Sequence, residues 1–393
     1  MPSTKSSAKL MYDLGQDLVL KGHEVSIITV CEDIDEKIQT SIEDYVNVVR
    51  IKSGKIDGAN RFIRAFNEIR LSSRIWKNGK DFFHNNTCDL VIWYSPSIFF
   101  GSLIKKIKKK NNCFSYLILR DIFPQWALDT GILKKGIIFN FFKKIEIVQY
   151  ENADIIGVQS PDNLLYFKNN NLYDKYKIEV LYNWTSLVNT ENLKTDFRLK
   201  LGLENKVVFF YGGNIGQAQD LQNIIRLASR IQNETSAHFL IVGDGTESIK
   251  LKKIISKLQL KNISILKSVD QSTYFAMLSE FDVGLISLER NFRTSNFPGK
   301  MLGYMQYSKP ILASINPGND LKKILLDNNA GLVSINGDDD LLVTNCLYLI
   351  QNPDARNTIG KNGYNLLKNI FSVNKASSQI LGQIKNTNYL CLE

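Results

Sequence analysis

The sequence predicts an α/β protein made of two tandem Rossmann-like domains that face a cleft, each a parallel sheet with helices on both sides. Three observations predict it. Apolar, branched runs alternate with helix-periodic segments as far as residue 181. The alternation breaks at Tyr182-Asn183-Trp184-Thr185-Ser186, the candidate linker, and restarts at Val207. The restart carries a glycine-rich turn, Gly212 to Gly216, between a strand and a helical pattern.

Leu10, Met11, Leu14, Leu18 and Leu20 share a helical period, and Lys21-Gly22-His23 ends that helix with a glycine cap. Strands are expected at 24–30, 46–51, 89–94, 113–119, 153–160 and 177–181, with helices at 61–78, 98–109, 139–152 and 161–169. In the second half, strands are expected at 207–211, 239–242, 263–266, 283–287, 310–313 and 331–333. Parallel strands separated by helices bind ligands beyond their carboxyl ends, and the polar motifs of this chain fall there.

The 393 residues are 44% hydrophobic, enough for two cores, and carry a net charge of +10. Such a charge suits phosphorylated ligands, anionic membrane or nucleic acid. The basic residues are dispersed and form no recognised nucleic-acid motif, which argues against the last. Five scattered cysteines (Cys31, Cys88, Cys113, Cys346, Cys391) show no metal or redox spacing, so a reducing, cytoplasmic setting is expected. Three histidines argue against a histidine-rich metal site. No secretory signal opens the sequence, and the apolar stretch 91–104 is too short to span a bilayer. The run Lys105-Lys106-Ile107-Lys108-Lys109-Lys110 reads as a solvated helix end, with lipid headgroups as the alternative partner.

Four motifs carry candidate chemistry. The Gly212–Gly216 loop lets backbone approach an anion; an unliganded turn is the plain alternative. Gly243-Asp244-Gly245 closes a strand, either against a nucleobase or as an ordinary βα turn. Lys300 follows Pro298-Gly299 in the first turn of a helix, where a cation opposes the helix dipole unless it serves an anion. Arg120-Asp121 ends a strand before Ile122-Phe123-Pro124-Gln125-Trp126, suggesting recognition of a polar ring or else an internal ion pair. A fifth segment, 136–148, mixes Ile137, Ile138, Phe139, Phe141 and Phe142 with Lys143 and Lys144, as an interfacial helix or a helix packed on the sheet.

With these motifs in order, the chain resembles the family-4 retaining glycosyltransferases of GT-B fold, and within them the WbuB type, L-fucosamine transferases of O-antigen synthesis. The carriers are Gly212-Gly213-Asn214-Ile215-Gly216-Gln217-Ala218-Gln219-Asp220-Leu221, Val242-Gly243-Asp244-Gly245 and Asn296-Phe297-Pro298-Gly299-Lys300-Met301, supported by Lys21-Gly22-His23-Glu24-Val25 and Arg120-Asp121-Ile122-Phe123-Pro124. The resemblance implies an acceptor domain over 1–184, a nucleotide-sugar domain over 185–368 and a final helix, 369–393, crossing back to the first domain. It implies that Gly212, Gly213, Asn214, Ile215, Gly216 and Gln217 cradle a diphosphate. Gly243, Asp244, Gly245, Lys267 and Val269 would lie against the base. Ser295, Asn296, Pro298, Gly299 and Lys300 would complete the donor site, with Lys300, Asp121 and Arg120 catalytic. Ser3, Thr4 and Ser6 are assigned to the acceptor. The implied partners are a UDP-sugar donor, a lipid-pyrophosphate-linked glycan and an anionic membrane surface on the cytoplasmic side, with no cofactor and no metal.

Three departures stand out. The family opens with a strand and a glycine loop, whereas Met1-Pro2-Ser3-Thr4-Lys5-Ser6-Ser7 begins inside that loop, so the first strand of the N-terminal domain is expected to be missing. Two family glutamates align with Ser295 and Gly303, leaving Glu289 and Asp320 as substitutes. Asn214 and Gln219 stand where relatives carry Arg and Lys, so Lys300, with Arg290 or Arg293, would bear more of the charge. Two other readings remain open: a nucleotide-sugar epimerase of the same fold, which would act without an acceptor, and a non-catalytic sugar-nucleotide-binding protein.

Overall fold

A computed structural model describes residues 6–54, 67–95, 97–129, 131–188, 195–291 and 297–389, the side chains among them running from 7 to 384. It divides into two compact units: Met1–Ser186 with Val373–Glu393, and Leu187–Ser372.

The first unit holds seven strands: β1 (Ser26–Cys31), β2 (Ile38–Glu43), β3 (Val46–Lys52), β4 (Leu90–Ser95), β5 (Phe114–Leu119), β6 (Ile155–Val158) and β7 (Ile178–Val180). They form two sheets, not one, ordered β1-β3-β2 and β4-β5-β6-β7. The second is parallel throughout. In the first, β2 runs antiparallel to β3 through a two-residue turn at Asp44 and Tyr45, both with positive φ (45° and 67°), the hairpin geometry that matches strand twist. The sequence analysis did not anticipate β2, whose Ile-Gln-Thr-Ser-Ile-Glu is polar at four of six positions and has no fully buried residue.

The first described helix is Ser6–Leu20; residues 1–5, on which the expectation about a preceding strand falls, lie outside the described residues. Among the described residues β1 and β4 each pair on one side only, and in β1 Ser26 and Thr29 are exposed, while β3 beside it is buried at Val46, Val48, Val49 and Ile51. Helices supply what the sheets do not span. Leu14 and Leu18 of the first helix share a core with Tyr116, Ile118, Leu181 and Trp184, against which Val25, Leu90, Ile92 and Tyr94 also pack. The Trp184 indole donates to the Leu10 carbonyl at 2.9 Å. The last helix, Val373–Tyr389, adds Val373, Ala376 and Ile380 to this core, and the Lys21 ammonium joins Asp17 (2.6 Å) and the Asn374 carbonyl (3.1 Å).

The second unit has one six-stranded sheet: β8 (Val207–Gly212), β9 (Ala237–Val242), β10 (Ile263–Leu266), β11 (Val283–Ser287), β12 (Ile311–Ile315) and β13 (Gly331–Ile335). All pairings are parallel and the order is β10-β9-β8-β11-β12-β13, so the winding reverses between β8 and β11. Continuous apolar runs suit strands covered on both faces: Val208, Phe209, Phe210 and Tyr211 are all fully buried. Each such side chain contributes about 1.5–3 kcal/mol by leaving water.

Because Ile380 is fully buried, Ile380→Ala should lower the stability of the first unit by about 2–5 kcal/mol, read as a shift of one of two urea transitions. A profile superimposable on wild type would show that the last helix is not part of that core.

Candidate active site

In a doubly wound sheet the crevice lies where the winding reverses, beyond the carboxyl ends of the flanking strands. Here those are β8 and β11, and the glycine loop leaves β8 at that point. Gly212 ends the strand opposite Val242. Gly213 follows with φ of 137°, a conformation that only glycine adopts without strain.

The loop is locked against the second glycine turn. Gly213 N–H donates to the Val242 carbonyl (2.9 Å), Ile215 N–H to the Asp244 carbonyl (2.9 Å), and Glu247 N–H to the Ile215 carbonyl (3.0 Å). A Cβ on Gly243 would sit 1.9 Å from the Gly213 oxygen, and one on Gly245 2.3 Å from the Ile215 oxygen. These two glycines are thus required by backbone packing, whatever ligand lies near them. Gly216 N–H donates to Gln219 Oε1 (3.2 Å), which also accepts from Asn214 Nδ2 (3.0 Å). The expected bed of loop amides is therefore narrower than the motif suggests: the N–H groups of Gly213, Ile215 and Gly216 are already spent. Tyr211 Oη donates to the Asn214 carbonyl at 2.6 Å, pinning the loop from below.

What remains for an anion is chiefly Lys300. It opens the helix Lys300–Gln306 after half-buried Pro298 and exposed Gly299. Its Nζ lies 4.0 Å from the centroid of the Tyr211 ring, and a Cβ on Gly213 would meet Lys300 Cε at 3.4 Å. Among the described residues no hydrogen bond or ion pair reaches the ammonium, and burial pushes it down to about 7 from the usual 10.5. A desolvated cation on a ring face is a candidate for an anionic partner.

The far side of the loop is tied to β11 and β13, in part by Asn336 and Ser287, which the sequence analysis did not single out. Asn336 Nδ2 donates to Asp220 Oδ2 (2.8 Å) and to the Leu288 carbonyl (2.9 Å). Ser287 Oγ donates to the Asp220 carbonyl (3.0 Å), and Glu289 N–H to that of Ala218 (2.9 Å). Only a buried asparagine just past a strand hinted at this. Arg290 donates to the Asn336 carbonyl at 2.9 Å and so braces the same network. Glu289 accepts from Asn291 N–H (2.7 Å) and Nδ2 (3.0 Å) and lines a cavity of about 250 Å³ with Gly216, Gln217, Asp220, Glu247 and Lys250. Asp320 lies outside that lining, at the start of the helix Asp320–Asp327. Asp244 accepts from Ser268 N–H at 3.1 Å, and Lys267 and Val269 are exposed beside it. Ser295, Asn296, Arg293, Ser3 and Thr4, and the side chain of Ser6, lie outside the described residues.

In the first unit, Arg120 follows β5 with 5% exposure. It does not pair with Asp121. Its guanidinium makes long contacts to the carbonyls of Leu119 (3.3 Å), Gly157 (3.4 Å) and Tyr182 (3.5 Å) and lies 5.6 Å over the Trp184 ring, while Nε has no partner. Burial lowers it to about 10 despite Tyr94, Tyr116 and Asp121. Asp121 is exposed at the strand end, and its carboxyl is held above the ordinary range by desolvation, against the pull of Arg120. Phe123 packs on Phe142 (5.0 Å) and Trp126 (6.0 Å), so the motif's aromatics face one another. Among the described residues no three His, Cys, Asp or Glu side chains are placed to share a metal ion. Asp338 caps the helix Asp339–Gln351, and Asp339 pairs with Arg226.

This architecture is the GT-B fold, and known proteins agree with it. Residues 194–366, most of the second unit, match the family described as Glycosyl transferases group 1. WbjE of Pseudomonas aeruginosa, named as a probable glycosyltransferase, is 25% identical over 219 residues, 55% of this chain and 54% of that protein. WcaI of Escherichia coli (strain K12), whose name assigns it to colanic acid biosynthesis as a glycosyl transferase, is 24% identical over 226 residues, 54% of each chain. The chain thus spans about half the length of these curated relatives. Among solved structures, sucrose-phosphate synthase from Thermosynechococcus elongatus superposes with a TM-score of 0.73 at 15% identity, over 98% of this chain and 94% of that one. Anabaena Alr3699/HepE in complex with UDP and glucose gives 0.67 at 13% identity, over 98% and 97%. At such identities the likeness shows the fold.

Two outcomes follow from the loop geometry. Gly243→Ala should cost about 1–3 kcal/mol in urea unfolding, since the new methyl overlaps the Gly213 carbonyl. A Lys300 ammonium depressed to about 7 means the unfolded chain binds more protons between about pH 7 and 10.5, so stability should rise with pH there. Lys300→Met should flatten that rise. An anion beside Nζ should reverse the shift, so inorganic pyrophosphate binding at about pH 8.5 should take up a proton, read by calorimetry in buffers of different ionisation enthalpy.

Proposed function

We propose that the protein is a retaining glycosyltransferase that moves a sugar from a nucleoside diphosphate to a lipid-linked glycan acceptor in the synthesis of O-antigen or capsular polysaccharide. The observation that carries this reading is the uncompensated Lys300 ammonium beside the Gly212–Gly213 turn, where the winding of a group 1 domain reverses. UDP in complexes of HepE supports a UDP-sugar donor, and the colanic acid name of WcaI supports a polysaccharide product. An acetamido-deoxyhexose such as L-FucNAc is the proposed sugar, from the WbuB-type likeness.

In this reading the diphosphate leaves as the glycosidic bond breaks, and its growing charge must be met. Lys300 is aimed at it from a site where water is scarce, so its attraction is stronger than in bulk solvent. One such group is worth about 3 kcal/mol of barrier. With protein cations in that role, the chemistry proposed here needs no metal. The acceptor hydroxyl attacks on the face the diphosphate leaves, passing its proton to a phosphate oxygen, so no enzyme nucleophile is required. Asp121, exposed at the end of β5, orients a hydroxyl, and Arg120 keeps that strand end in place through its carbonyl contacts. Glu289, on the cavity beside Gln217, is the proposed ribose contact in place of the residues at 295 and 303.

A membrane-bound acceptor fits the first unit. No helix among the described residues is long and apolar enough to cross a membrane. Ile132 (68% exposed), Ile137 (90%) and Ile138 (63%) instead stand in water beside exposed Lys134, Lys135 and Lys144, the mixture that seats in an anionic lipid interface. The other lysine run is largely committed to structure: Lys110 donates to the His84 carbonyl (2.8 Å) and Lys108 pairs with Asp154 (2.8 Å).

Lys300→Ala should lower transfer from a UDP-sugar at least ~100-fold in a folded, purified protein. Near-normal turnover would remove Lys300 from the mechanism. The full chain should sediment with vesicles containing phosphatidylglycerol and far less with phosphatidylcholine alone. Ile137→Ser with Ile138→Ser should weaken that binding several-fold while leaving transfer to a soluble acceptor analogue intact. Equal binding to both vesicle types would sink the membrane reading.

A further inference from the structure

A second reactive cluster lies at the opposite, amino-terminal ends of β4 and β5. Cys88 and Cys113 have no metal or redox spacing in sequence, yet the fold brings the segments that carry them together. Leu90 of β4 is in register with Phe114 of β5, and Phe114 N–H donates to the Asp89 carbonyl at 2.8 Å, so the residues entering the two strands lie side by side. Both cysteines turn into the same hydrophobic core, Cys113 buried at 5% exposure and Cys88 partly open to solvent. The two side chains are close enough for each to shift the ionisation of the other.

The surroundings distinguish the two sulfurs. The Cys113 S–H favours a thiolate on Cys88, and Lys110 helps while Asp89 opposes. Cys113 is held in the thiol form by that same contact and by burial, with Lys108 pulling weakly the other way. A sulfur partly open to solvent beside a buried thiol in the same core is the division of labour of a reactive and a resolving cysteine.

We propose that Cys88 and Cys113 are a reversible oxidation site that closes to a disulfide, with Cys88 reacting first with a peroxide and Cys113 resolving it. The Cys88 thiolate attacks one oxygen of hydrogen peroxide, the O–O bond breaks, and the departing hydroxide takes the thiol's proton to leave as water. Cys88 becomes a sulfenic acid. Cys113 sulfur then attacks that sulfur, the S–O bond breaks, and the hydroxyl group leaves as a second water with the Cys113 proton. Two thiols lose two electrons and the peroxide is reduced to two waters.

The full chain, treated with hydrogen peroxide, alkylated with iodoacetamide and digested without reductant, should yield a Cys88–Cys113 cross-linked peptide two hydrogens lighter than the pair of free peptides. Dithiothreitol should abolish it. Recovery of both cysteines alkylated or over-oxidised, with no cross-link, would overturn the proposal. Dimedone, which traps sulfenic acid, should label Cys88 at least ~10-fold more in Cys113→Ser than in wild type, because the resolving thiol is gone. Equal labelling would remove Cys113 from that role. The wild-type peptide map decides the disulfide even where the variant fails to fold.

Discussion

The second unit depends on two glycine turns pressed together until their backbones touch. Gly243 and Gly245 have no room for a side chain because the Gly213 and Ile215 carbonyls occupy it. The contact is cemented in both directions, Ile215 N–H reaching Asp244 and Glu247 N–H returning to Ile215. Asn336 and Asp220 fasten the other end of the loop, so its shape is held on both sides before any ligand arrives. Rigidity of this kind lets an enzyme meet a developing charge without reorganising at the moment of reaction. It also consumes the amides that a glycine-rich loop is usually thought to offer. Hydrogen bonding is a closed account for each N–H, and here the loop's own architecture draws on it first.

This shifts the electrostatic burden to side chains, and a comparison of two cations shows which one can carry it. Arg120 is buried and Lys300 partly buried, and burial lowers the pKa of both; neither has a salt bridge among the described residues. Arg120 spends its donors on three carbonyls at the ends of β5, β6 and the Tyr182 segment, and stacks on Trp184. Its geometry is that of a group holding chain ends together. Lys300 has no hydrogen bond or ion pair among the described residues and rests on the face of Tyr211. A ring face returns about 2 kcal/mol or more to a desolvated cation, less than the several kcal/mol that burying an isolated ion costs. An anion beside Nζ would make up that deficit, whereas the contacts of Arg120 are already supplied by the chain.

Much of this was legible in the sequence, because buried parallel strands are written as unbroken apolar runs. Val207 to Tyr211, Ile263 to Leu266 and Val283 to Ser287 all form strands near their expected bounds. Strand β2 escaped because its exposed face is polar and its turn uses Asp44-Tyr45, not the asparagine-glycine pair that advertises a hairpin. At the site, glycines and Lys300 were visible as residue types. Which amides were free was not, since that depends on the partner loop thirty residues away in sequence. The same limit hid Asn336 and the approach of Cys88 to Cys113: both depend on which strand ends come together in the assembled sheet.

The two units also differ in how their sheets are completed, and this bears on where chemistry can be held firmly. The six strands of the second unit form one continuous ladder with the site at its centre. The first unit divides its strands between two sheets, and among the described residues β1 and β4 each keep an unpaired edge. Unpaired parallel edges are a liability, because their backbone groups must find water or another partner. The core there is closed instead by side chains from three distant stretches: Leu14 of the first helix, Trp184 of the linker and Ile380 of the last helix. Cohesion in the first unit thus rests on packing between side chains far apart in sequence, whereas around the candidate site of the second unit it rests on a continuous strand ladder.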